Sequence, residues 1–117
     1  MNIDIRHNFE ASVRYMGGAG YELAFKLTTT SSGVVHMTHW EWALMLMHGA
    51  QFAENPQEGW SFKALENAGV FDFSFTTTTN THHRCVTRRM LEDAAKASRV
   101  DGKAHRLYQS RAVATSR

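Results

Sequence analysis

"EASVRYMGGAGYELAFKL", residues 10–27, contains two runs of alternating apolar and polar side chains joined by a glycine-rich break. The first run extends back to Ile3. Its odd positions Ile3, Ile5, Phe9, Ala11, Val13 and Tyr15 are apolar, with His7 the exception, and its even positions Asp4, Arg6, Asn8, Glu10, Ser12 and Arg14 are polar. A period of two is the mark of a strand with one buried face. The odd-numbered pattern resumes at Tyr21, Leu23, Phe25 and Leu27. Two in-phase runs around glycines predict an antiparallel hairpin. With Gly17, Gly18 and Ala19 as the loop, Val13 faces Leu23 and Phe9 faces Leu27, which puts both apolar rows on one side. Strands on both flanks also argue against "GGAG" as a phosphate cradle, which would feed a helix N-terminus.

Beyond this hairpin, "SSG" at 31–33 marks a turn and "VVHM" at 34–37 a short third strand. Thr38 followed by Glu41 has the spacing of a capping box, so a helix should start at His39 and run to about Met47, ended by Gly49 or by Asn55–Pro56. "SFKALENAG" at 61–69 reads as a shorter helix closed by Gly69. "VFDFSFTTTT" at 70–79 alternates again, and its phenylalanines need a covered sheet. Thr81 is the expected cap of a helix over His82–Arg99, broken at Asp101–Gly102. The expected fold is α+β: an antiparallel sheet led by the long N-terminal β-hairpin (2–16 and 21–30), joined by the 71–79 strand and covered on one face by two or three helices. Residues 1–102 form a single domain in this reading, and 103–117 a basic, weakly helical or flexible C-terminal tail. No internal repeat or dividing linker is visible.

A chain of 117 residues supports one core, and 43% apolar with 21% charged residues is ordinary for a folded domain. The N-terminus lacks the charged-then-apolar pattern of a secretory signal, and the longest apolar run, Trp42–Met47, falls far short of the roughly 20 residues of a membrane span. With Cys85 the only cysteine, the expected setting is reducing and cytoplasmic. Charge is unevenly spread. Residues 1–80 hold four Lys/Arg against eight Asp/Glu, a net −4, whereas 81–117 hold nine against three, a net +6. Such a split suggests a partner for the basic third, or neutralisation within the fold.

"THWEWALMLMHG" (38–49) is the unusual segment, apolar on nearly every side. At 100° per residue Trp40, Ala43, Leu44 and Met47 share the face expected to lie on the sheet. Trp42, Met45 and Leu46 then project the other way, either under another helix or as an interface, where tryptophan and methionine are enriched. On the last helix, Arg84, Arg88, Arg89, Lys96 and Arg99 form a basic arc that suits phosphate or an acidic protein, partly offset by Glu92 and Asp93 at ion-pair spacing.

No chemistry of catalysis assembles from this chain. His36 with His39, and His82, His83 and Cys85, lack the companions of a zinc site, and Cys85 with His82 lacks an orienting third group. No cofactor or metal is expected. The functional expectation is therefore a non-catalytic protein-binding module, not an enzyme, that uses Trp42, Met45, Leu46, Arg84, Arg88, Arg89 and Arg99 toward another protein or a second copy. In general character it is similar to small phage- or mobile-element-type inhibitors of host nucleic-acid-handling or defence complexes. The alternative is a nucleic-acid-binding regulator using the basic helix and tail. No membrane partner is expected.

Overall fold

The hairpin forms in the register that its alternation predicts. The computed structural model describes residues 10–107; the expected strand over Ile3–Phe9 and the tail over 108–117 lie outside them. β1 (Glu10–Tyr15) and β2 (Tyr21–Lys26) pair antiparallel with Val13 opposite Leu23, around a 3-10 turn at Gly17–Ala19. β3 (Ser32–Met37) pairs on the far side of β2. Next come α1 (His39–His48), β4 (Ala50–Asn55), β5 (Trp60–Asn67), β6 (Val70–Thr76), β7 (Thr81–Thr87), α2 (Arg88–Asp101) and β8 (His105–Arg106).

The fold is α+β with two four-stranded antiparallel sheets, ordered β3-β2-β1-β8 and β4-β5-β6-β7. The strand expected to join the hairpin, β6, lies in the second sheet instead. The inward rows of the two sheets meet: Phe25 on β2 has ring centroids 5.3 Å from Phe62, 6.0 Å from Phe73 and 5.3 Å from Phe75. Gly33 on β3 is needed for this approach, because a Cβ there would come within 2.2 Å of the Phe75 ring. Among the described residues no helix is long and apolar enough to cross a membrane.

Two predicted helices are corrected. Residues 61–69 form β5 and its turn, with Phe62 and Ala64 buried and Lys63 and Leu65 outward. Pairing on both edges, with β4 and β6, outweighs the helical preference of Ala-Leu-Glu. Ala68 and Gly69, both at positive φ, make the two-residue turn to β6, so Gly69 is not a helix cap. Residues 82–87 likewise belong to β7. Thr87, not Thr81, caps the helix and accepts from Met90 N at 3.1 Å. Thr38 fulfils its expected role: its hydroxyl accepts from Glu41 N at 3.0 Å, and Glu41 accepts from Thr38 N at 2.9 Å.

The strand order reveals a repeat that residue matching does not. Each half is a three-stranded meander, a threonine-capped helix ended by a left-handed glycine (Gly49 or Gly102), and a last strand. That last strand leaves its own meander and pairs with the first strand of the other half: β4 with β5, and β8 with β1. Residues assigned to the tail thus enter the sheet at His105 and Arg106, and Leu107 is buried with its N–H bonded to Ala11 O at 2.8 Å. Asp101 guides this return, bonding Lys103 N at 2.9 Å and His105 Nε2 at 2.8 Å.

Two outcomes are expected. Thr38→Ala and Thr87→Ala should each cost about 1 kcal/mol in urea unfolding, and nearly additively. The Lys103 N–H, then His105, hold the Asp101 carboxyl below the ordinary aspartate value. Its stabilisation is complete above the unfolded-state pKa and is lost as pH falls through the depressed folded value. A carboxyl NMR titration should show the low midpoint, and Asp101→Asn should remove that part of the acid dependence.

Candidate functional site

α1 has two apolar sides, and the face turned inward is the opposite of the predicted one. Trp42 is 5% exposed, and its ring stacks on Tyr21 at 4.5 Å and 21°. Met45 is fully buried and Leu46 partly buried against the core. These three residues, expected to form a docking surface, are packing residues within one chain. The outward side carries Trp40, 67% exposed, and Met47, 64% exposed, two turns apart on one stripe with the half-buried Ala43 and Leu44 between them.

Gly49 turns the chain from α1 straight into β4, tied back by Gln51 Nε2 donating to Glu41 O at 3.0 Å. Along β4 the outward side chains are Ala50, Phe52 and Glu54, and Phe52 is 57% exposed. Lys63 and Leu65 stand beside them on β5, with Leu65 50% exposed. Exposed large apolar groups therefore concentrate on α1, β4 and β5.

The second half serves as an internal control. α2 occupies the place in its half that α1 holds in the first, and its outward side is Arg89, Glu92, Asp93, Lys96 and Arg99, with Val100 the one large apolar group. Arg89 pairs with Asp93 at 3.7 Å, as their spacing predicts. Its inner side, Leu91, Ala94, Ala95 and Ser98, is buried. Ser98 Oγ accepts from Tyr15 N at 2.6 Å, fixing α2 to the end of β1.

The expected basic arc does not assemble. Arg84 lies on β7, turned inward and buried beside Val86. Arg88 stands at the start of α2 as a fastener. It donates to Leu46 O in the last turn of α1, lies 3.7 Å from Glu66 and sits over the Phe71 ring at 5.3 Å. Arg99 donates to the Tyr21 hydroxyl at 2.8 Å. Arg106 pairs with Glu10 at 3.5 Å. Of the predicted partner-binding arginines, Arg89 is the one that, among the described residues, is on the surface without a bond to another element.

One polar cluster invites a catalytic reading. On the outer face of β6 and β7, His83 Nδ1 lies 3.3 Å from Asp72 Oδ1 and 3.2 Å from Ser74 Oγ, and Cys85 stands opposite Asp72. Both contacts use one ring nitrogen, whereas a hydroxyl–imidazole–carboxylate relay needs one nitrogen for each partner. Among the described residues no group of three His, Cys, Asp or Glu side chains is placed to hold a metal ion.

No family model, curated protein or solved structure matches the chain.

The two tryptophans of α1 should respond oppositely to truncation. Trp42→Ala should cost about 3–5 kcal/mol in denaturant unfolding. Trp40→Ala should change stability by no more than about 0.5 kcal/mol.

Proposed function

We propose that this chain is a non-catalytic protein-binding module whose contact surface is the outward side of α1. The single observation that carries the reading is the contrast between the two equivalent helices: Trp40 and Met47 stand out to solvent on α1, where α2 presents charge. A well-solvated exterior was available to this fold, as α2 demonstrates. An indole and a thioether two turns apart are the kind of side chains that anchor interface centres, and methionine adapts to irregular partners. The module acts by occupying a partner's apolar surface, which requires no reacting groups. Nucleic acid is disfavoured as the partner, because Arg84 is buried and Arg88, Arg99 and Arg106 are each tied to another element instead of lining one exposed stripe.

Site-specific photocrosslinking in the producing cell tests this. Benzoylphenylalanine in place of Trp40 should give discrete protein adducts, and the same group in place of Glu92 on α2 should give none. Met47→Glu should abolish the adducts at position 40 while leaving the thermal unfolding midpoint close to wild type. Equal labelling from both helices, or no adduct from position 40, overturns the assignment.

A further inference from the structure

β4 brings together three features that the other edge strands, β3, β7 and the two-residue β8, do not combine. One of its edges pairs with β5 and the other pairs with no strand among the described residues. Its register with β5 runs without a bulge, and "AQFAEN" contains no lysine, proline or glycine. Bulges, lysine and proline are among the devices that guard an edge, and the single charge of β4 is Glu54. Each face of β4 also opens on a hollow. On the outer side Ala50, Phe52, Lys63 and Leu65 surround a depression of about 470 Å³. On the other side a groove of about 540 Å³ runs between β3 and β4 over Val35, Ala53 and Trp60. By comparison, the outer face of β3 is closed by the His36–Glu22 pair at 3.4 Å, and that of β7 is polar, with Thr81, His83, Cys85 and Thr87.

A strand added to β4 would send alternate side chains into these two hollows, while main-chain hydrogen bonds along the edge supply affinity. Charge chooses the occupant. Glu54 is exposed on the outer face of β4, two residues from Phe52, and forms no ion pair among the described residues. Directly opposed residues of an antiparallel pair interact most strongly when opposite in charge or both apolar.

We propose that β4 is a strand-addition site: an extended segment of a partner protein pairs antiparallel with its free edge, placing a basic residue opposite Glu54 and an apolar residue opposite Phe52. Because the strands run in opposite directions, the segment carries the basic residue first and the apolar residue two positions later. This deepens the protein-binding reading and rests on it, adding the mode of contact and the partner's local chemistry.

The test uses the full chain and a fluorescein-labelled heptapeptide, threonine-arginine-threonine-valine-threonine-valine-threonine, read by fluorescence anisotropy. Saturable binding is expected, with amide exchange slowed across residues 50–55. Replacing the peptide's arginine by glutamate should weaken binding about tenfold, and Glu54→Arg in the protein should reverse that preference. N-methylation of alternate peptide nitrogens should abolish binding. Absence of binding, or binding indifferent to N-methylation or to the charge exchange, overturns strand addition. Adducts from position 40 persisting in that case leave the protein-binding reading standing; peptide binding without those adducts sinks the α1 surface and keeps the edge. A dimer by light scattering that Phe52→Glu returns to monomer would show β4 pairing with a second copy, and overturns the basic segment as occupant.

Discussion

Phe25 is the residue on which the two sheets close. One ring on β2 meets Phe62, Phe73 and Phe75 of the opposite sheet, all of them buried. Burying each such ring contributes about 1.5–3 kcal/mol, and each tilted or edge-on pair adds about 0.5–1.5. A sheet with one apolar face must bury it against another element, and this contact packs the two sheets on each other instead of on separate layers of helix. With both inner faces used, the helices are left to the margins. Tyr21 then links them, its ring stacked on Trp42 of α1 and its hydroxyl accepting from Arg99 of α2.

That arrangement explains the inverted helix. α1 offers two apolar faces of similar quality, Trp40–Leu44–Met47 and Trp42–Met45–Leu46, and periodicity alone ranks them equally. What chooses between them is the place prepared by Tyr21 and by Arg88, which reaches the last turn of the helix. The surplus of apolar surface was legible in residues 38–49, but its direction was not, because the partners that settle it come from distant parts of the chain. The candidate site moved by half a helical turn, from one tryptophan to the other.

The elements most legible in the sequence were those governed by near neighbours. The hairpin register around Val13 and Leu23 follows from alternation and glycine placement, and the Thr38–Glu41 box from side-chain reach. The misread elements were those whose own composition hid the alternation. Residues 60–67 contain good helix formers and become a strand through neighbours on both edges. His82 to Thr87 alternates, with Arg84 and Val86 inward, yet Arg84 in an inward row obscures the pattern. The duplicated topology was hidden for a similar reason: the two halves share caps, order and strand crossing, but "HWEWALMLMH" and "RRMLEDAAKASRVD" have little in common as text.

The reciprocal crossing of β4 and β8 also constrains how this chain is made. The first sheet is completed only when His105 and Arg106 return to Val13 and Ser12, so almost the whole described chain lies between the partners of that last pairing. During synthesis β1 therefore leaves the ribosome long before its final neighbour exists, with one margin waiting. Long-range pairing of this kind is slow and leaves an open sheet margin in the interim. Closure of the first sheet therefore waits until Leu107 is in place beside Ala11, and until then the free margin of β1 stands open to other pairings.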